Sequence, residues 1–141
     1  MPIKTLEHVN IETTSLEATM RFYTEVLGLK AKERPAGRAR PGAWVYDDQG
    51  VAVVHLSLID AGDADLGGQS LANLQEPVMG APRGTGTVNH LGFVADDYDG
   101  FRARLCDQQV RFTEREIPDS KLRQLFVKDP NGVLVEISFK A

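Results

Sequence analysis

Hydrophobic and polar positions along the chain alternate with two different periods, and the order of those periods repeats. A run from Leu6 to Glu12 alternates with period two, the mark of a half-buried strand. It leads into SLEATMRFYTEVLGL, where Leu16, Met20, Tyr23 and Leu27 recur at helical spacing, with Ser15 placed to cap the helix and Gly28 to end it. Three extended segments follow, Leu29 to Arg34, Ala43 to Asp48 and Val51 to Asp60, the last two joined by a DDQG turn. The same order then returns as strand Val88 to Ala95, helix Asp97 to Gln109 and strands Val110 to Glu116, Arg123 to Lys128 and Val133 to Phe139. A DPNG turn, with Pro and Gly set for a tight reversal, joins the last two.

The residues themselves repeat as well. WVYDDQGVAVVHLSL from Trp44 lies over LFVKDPNGVLVEISF from Leu125 without a gap, at an offset of 81 residues. This aligns Asp48 with Asp129, Val54 with Val135, His55 with Glu136 and Ser57 with Ser138. Near the starts of the halves, LEHVNI over VNHLGF pairs His8 with His90 at an offset of 82, so one inserted residue separates the two alignments. The expectation is one α+β domain of two tandem βαβββ modules, module one over 1–60 and module two over 88–141. Between them, 61–87 holds six glycines, two prolines and no sustained periodicity, and reads as a linker or lid.

Alternation also assigns faces. His8, Asn10 and Glu12 share one face of the first strand, and His55 and Ser57 share one face of the strand closing the first half. His90 and Gly92 oppose Leu91 and Phe93, while Glu136 and Ser138 oppose Val135, Ile137 and Phe139. One face of each strand is apolar and packs on helices; the other is polar. All three histidines of the chain fall on polar faces, and the fourth equivalent position holds Glu136. Imidazole nitrogen and carboxylate oxygen suit iron, zinc, nickel, cobalt or manganese, and a carboxylate amid VLVEISF calls for a cation or hydrogen-bond partners. Some or all of His8, His55, His90 and Glu136 are therefore expected to hold one divalent metal. Asn10 and Ser57 share these faces, and Arg123 and Gln124 open the strand before DPNG, which makes all four candidates for substrate binding. Trp44 and Tyr46 share a face of their strand and are expected in the core.

Composition narrows the function classes. At 141 residues, 42% hydrophobic and 26% charged, the chain belongs to the soluble globular class. A net charge of −4 gives no basic footprint for nucleic acid. Cys106 is the only cysteine, so no intrachain disulfide forms. No segment reaches the roughly 18 apolar residues of a membrane helix, and the N-terminus lacks a signal-like apolar run. A cytoplasmic protein with a small-molecule substrate is expected, without a membrane or nucleic-acid partner.

In LEHVNI, RFYTEVLGL, NHLGFVA and FVKDPNGVLVEISF the chain resembles the vicinal oxygen chelate superfamily. That superfamily includes glyoxalases, methylmalonyl-CoA epimerases, fosfomycin-modifying enzymes, extradiol dioxygenases and bleomycin-binding proteins. The resemblance covers essentially the whole chain and implies an open curved sheet, a half-barrel around a metal site. Carried over residue by residue, it makes His8, His90 and Glu136 ligands and puts His55 at the variable position, where glyoxalase-like enzymes carry glutamate and epimerases glutamine. A histidine there fits the acid/base of extradiol dioxygenases, whereas Phe126 stands where the ring-cleaving enzymes carry a tyrosine. The resemblance thus implies a divalent-metal-dependent enzyme that chelates adjacent oxygens of a small substrate, leaning to an extradiol-type dioxygenase with Fe(II). A glyoxalase- or epimerase-like lyase or isomerase is the alternative, and a non-catalytic, bleomycin-type binding protein a further one. His55 is either a fourth ligand or a catalytic proton carrier.

Two open sheets leave strand edges to cover, which, with the habit of the superfamily, points to a homodimer. Light scattering is expected to give twice the chain mass; a strict monomer at micromolar concentration would contradict this.

Overall fold

The alternation along the chain is realised as two four-stranded sheets, each with one apolar face covered by a helix. The computed structural model describes residues 2–32, 41–59 and 83–140. Most of the expected linker or lid, from 61 to 82, lies outside the described residues. The chain divides into two compact units, Met1–Pro82 and Arg83–Ala141, with the boundary inside the Gly- and Pro-bearing segment.

In the first unit, β1 (Val9–Thr13) leads to α1 (Leu16–Arg21), which runs on as a π-helical turn through Phe22–Val26. β2 (Lys30–Lys32), β3 (Gly42–Tyr46) and β4 (Ala52–Leu58) complete a sheet of order β1-β4-β3-β2. β1 and β4 are parallel, the other pairs antiparallel. The second unit repeats this with β5 (Leu91–Val94), α2 (Tyr98–Asp107), β6 (Phe112–Ile117), β7 (Leu122–Lys128) and β8 (Leu134–Phe139), in the order β5-β8-β7-β6. Both units are therefore βαβββ modules, as the repeated pattern predicts.

Burial follows parity. Val45, Val54 and Leu56 are fully buried in the first unit, packed with Tyr23 of the helical segment, and Leu125, Val135 and Leu105 are fully buried in the second. The buried stripe of the first helical segment is Thr19, Phe22, Tyr23 and Val26, shifted from the expected Leu16, Met20, Tyr23 and Leu27. The stripe keeps the spacing of three and four residues but starts at Thr19. Ser15 stands at the N-cap, but its hydroxyl makes no capping bond. Thr13 supplies the local link instead, accepting from the Ser15 N–H at 3.0 Å and meeting the Thr19 hydroxyl at 3.0 Å. Gly28 ends the helix as expected, with φ of 84° and a bond from the Leu29 N–H to the Tyr23 carbonyl at 3.0 Å.

The inserted residue of the repeat also becomes visible. Asp47 accepts from the N–H groups of Gln49 and Val51, and Asp129 accepts from those of Asn131 and Val133. The turn equivalents are therefore Asp47 and Asp129, not Asp48 and Asp129. Trp44 likewise pairs with His55 as Phe126 pairs with Glu136, so Trp44 corresponds to Phe126 and not to Leu125. The cause is a bulge: Val45 faces Val54 but Tyr46 faces Ala52, which leaves Val53 as the extra residue.

Helix α2 is fastened to its sheet by charge as well as by apolar contact. Asp97 caps it by accepting from the Gly100 N–H at 3.0 Å, and a Cβ at Gly100 would fall 2.2 Å from the Asp97 carboxylate. Tyr98 packs edge-on against Phe139 and donates its hydroxyl to Glu114 of β6 at 2.5 Å. Arg102 reaches the same carboxylate at 2.7 Å. The bond from Tyr98, and next the one from Arg102, hold the Glu114 carboxyl below its ordinary range. Burial first, then the bond to Glu114, push the Tyr98 hydroxyl up. Among the described residues no helix is long and apolar enough to cross a membrane.

Two predictions follow from faces and fastening. Leu56→Ala, on the buried side of β4, is expected to cost about 2–5 kcal/mol in denaturant unfolding. Its neighbour Ser57→Ala, on the other face, is expected to cost less than about 1.5 kcal/mol; equal costs would refute the face assignment. The lowered Glu114 carboxyl contributes stability that is present above the ordinary carboxylate range and lost as pH falls through its folded value. The raised Tyr98 hydroxyl contributes stability that is present below the ordinary tyrosine range and lost as pH rises through its folded value. Glu114→Gln should flatten the acid limb of unfolding stability against pH, and Tyr98→Phe the alkaline limb.

Candidate functional site

Parallel pairing decides which polar residues become neighbours. In the first unit β1 against β4 sets Asn10 beside His55 and Glu12 beside Ser57, and in the second β5 against β8 sets Gly92 beside Glu136. His8 and His90 stand immediately before β1 and β5, one step short of the strands expected to carry them. The structure thus keeps each expected pair on the polar face of its own sheet.

In the first unit His55 lies between two rings. Its imidazole stacks on His8 with centroids 3.8 Å apart and planes 9° from parallel, and on Trp44 at 4.2 Å and 14°. Trp44 is therefore on the polar face and not in the core, contrary to expectation; Ala43 and Val45 on either side are the buried residues of β3. The strand's alternation carried that signal, since Val45 is the residue in phase with the apolar side. His8 Nδ1 lies 3.0 Å from a carboxylate oxygen of Glu7. An ionised carboxylate only accepts, so Nδ1 donates to it, and in the neutral ring Nε2 carries the lone pair. Nearby, Ser57 donates its hydroxyl to Asn10 Oδ1 at 3.0 Å.

In the second unit His90 Nε2 lies 2.9 Å from Glu136 Oε2, and His90 Nδ1 lies 2.7 Å from Asn89 Oδ1. The two modules thus share a device, an acceptor on the residue before the histidine that orients its ring. With Nδ1 donating to Asn89, a neutral His90 turns its Nε2 lone pair toward a carboxylate oxygen. Two acceptors that close require a shared proton or a cation. The other carboxylate oxygen, Oε1, accepts from Ser138 Oγ at 2.9 Å and from the amide of Gln124.

Gln124, expected to meet substrate, is buried on this face and bonded to Glu136, whereas Arg123 is on the opposite face. Arg123 is in register with Phe139, and its guanidinium lies 3.5 Å from the centre of the Tyr98 ring on the α2 side. Alternation excludes adjacent residues of one strand from sharing a face, and Gln124 holds the polar one.

Within the second unit the donors suit a divalent cation: an imidazole whose Nδ1 faces an acceptor, and a carboxylate with one oxygen bonded and the other turned to the imidazole nitrogen. The candidates come together in pairs, His8 with His55 and His90 with Glu136. Among the described residues no group of three or more His, Cys, Asp or Glu side chains is gathered in one cluster.

Comparison with known proteins agrees with the two-module fold. The family model described as the Glyoxalase/Bleomycin resistance protein/Dioxygenase superfamily matches residues 5–137. "Glyoxylase I 4" of Arabidopsis thaliana is 24% identical over 137 residues, which is 96% of this chain and 70% of that protein. A glyoxylase/bleomycin resistance protein/dioxygenase domain from a Frankia species superposes with a TM-score of 0.70 at 22% identity, covering 99% of this chain and 94% of that one. Lactoylglutathione lyase from Agrobacterium tumefaciens superposes with a TM-score of 0.63 at 19% identity, covering 99% and 96%.

Proposed function

The chain belongs to the glyoxalase/bleomycin resistance protein/dioxygenase superfamily, and from that premise we propose that it is a divalent-metal-dependent lyase or isomerase acting on a small molecule with two adjacent oxygens. His8, His90 and Glu136 are its metal ligands and His55 its proton carrier. The observation that carries this reading is the 2.9 Å approach of His90 Nε2 to Glu136 Oε2 on an open polar sheet face, with the other oxygen of the carboxylate already bonded.

The His8–His55 stack supports the division of labour. A ring nitrogen ligates through a lone pair in the plane of the ring. Planes 9° from parallel, with centroids 3.8 Å apart, keep the two sets of lone pairs in separate, nearly parallel planes. They do not converge on one cation. With His8 as a ligand, His55 stands alongside it, held in plane by Trp44, as a group that can move a proton between neighbouring carbons of a substrate. Asn10 and Ser57, bonded to one another beside His55, line the same face and offer polar contacts to that substrate. A divalent cation, when bound, supplies a Lewis acid that stabilises negative charge on the two oxygens.

The sequence favoured extradiol ring cleavage with Fe(II). The lyase or isomerase reading now stands ahead of it, because Phe126 lies directly across from Glu136 without a phenolic hydroxyl. The similarity to a lactoylglutathione lyase points the same way. That reading takes zinc, nickel or cobalt more naturally than iron.

Dialysed protein should retain about one divalent metal per chain by elemental mass spectrometry, and Glu136→Gln should lose it. His55→Ala should keep the metal and lose about 10²- to 10⁴-fold in turnover. Turnover is read as thioester formation across a panel of 2-oxoaldehyde–thiol adducts, with catechol-dependent oxygen uptake measured beside it. Unchanged metal in Glu136→Gln would remove the ligand assignment, and metal lost along with activity in His55→Ala would make His55 a ligand. Oxygen uptake without thioester formation would restore the dioxygenase reading.

A further inference from the structure

Gln124 is 5% exposed on the polar side of β7, in a cross-strand row with Arg115 of β6 and Ser138 of β8. A buried primary amide must have both ends satisfied, and here its orientation is dictated by chemistry. Arg115 Nε only donates, and it lies 3.0 Å from Gln124 Oε1. The amide nitrogen is therefore turned to the other side, where it donates to Ser138 Oγ at 3.2 Å and to Glu136 Oε1. Ser138 in turn donates to the same Oε1 at 2.9 Å. One carboxylate oxygen takes both bonds, and the other faces His90 Nε2.

We propose that Gln124, locked by Arg115 and assisted by Ser138, is the positioning residue that makes Glu136 a ligand through one oxygen. The proposal rests on the reading of Glu136 as a metal ligand and extends it to a three-strand relay. Two hydrogen bonds on Oε1 fix the rotation of the carboxylate and draw that oxygen away from a cation, so Oε2 alone is presented. A carboxylate free to rotate would bind through both oxygens or through either, with a different coordination number and a weaker preference for one geometry. Bonds to the back of a ligand are worth about 10- to 100-fold in metal affinity.

Cobalt(II) is the probe, because its visible absorption reports coordination number and geometry independently of turnover. The wild type, Gln124→Leu, Ser138→Ala and Arg115→Met are titrated with Co(II) against a competing chelator. Gln124→Leu is expected to bind about 10- to 100-fold more weakly with an altered Co(II) spectrum. Ser138→Ala and Arg115→Met should shift both readouts in the same direction by less. Arg115 is exposed, so Arg115→Met carries the test even where Gln124→Leu fails to fold. Wild-type affinity and an unchanged spectrum in folded Gln124→Leu or, failing that, in Arg115→Met would overturn the positioning role and leave the metal reading intact. Failure of the wild type to bind Co(II) would overturn the metal reading itself, and the positioning role with it.

Discussion

The parallel pairing of the first and last strand of each module is the constraint on which the rest depends. A parallel pair in one sheet needs a crossover, and the helix that makes it covers one face of the sheet and buries every second residue. What remains of each strand is a polar face over which, among the described residues, no helix of its own module packs. Asn10 beside His55 and Gly92 beside Glu136 are consequences of this register, and a slip of one residue in β4 or β8 would send His55 or Glu136 into the apolar layer. Fully buried neighbours on both sides of each, Val54 and Leu56 in β4 and Val135 and Ile137 in β8, make that slip costly.

This is why so much of the fold was legible from the chain. Period-two alternation and the helix between strands are local properties, and the burial of Val54 and Leu56 against the half-exposure of His55 follows from them. The duplication was legible too, but its register was not legible throughout. An ungapped alignment cannot see that Val53 bulges out of β4, because a bulge lies in the pairing of strands and leaves no mark in the identity of one valine. The misplacement of Trp44 has a different origin. Its size suggested a core, while the phase of its strand, fixed by Val45 at zero exposure, puts it on the other side.

The candidate site was legible as a set of positions and much less as a set of contacts. Parity set His8, His55, His90 and Glu136 on polar faces. It did not give the stacking of His55 between Trp44 and His8, since ring planes depend on rotamers that neighbouring strands select together. Arg123 and Gln124 both open the strand before DPNG, yet adjacency in a strand means opposite faces. Arg123 lies on Tyr98 among the residues that fasten α2, and Gln124 lies behind Glu136. Glu7 and Asn89 carried no signal of their own; they matter only because each precedes a histidine and reaches its Nδ1.

On the proposed function, the two modules divide the roles of proton carrier and metal ligand over one shared backbone plan. At equivalent positions one sheet has Trp44 opposite His55 and the other has Phe126 opposite Glu136. An aromatic ring facing an imidazole can stack on it and fix its plane, which is also the plane of its lone pair. An aromatic ring facing a carboxylate offers no hydrogen bond, so the carboxylate takes its partners from Gln124 on the diagonal and from Ser138 two residues along its own strand. One pairing produces a ring held in plane beside a histidine; the other produces a carboxylate tied through one oxygen. The difference between a group suited to moving a proton and a group suited to holding a cation thus lies less in the backbone, which is shared, than in what stands across the strand and one step along the diagonal.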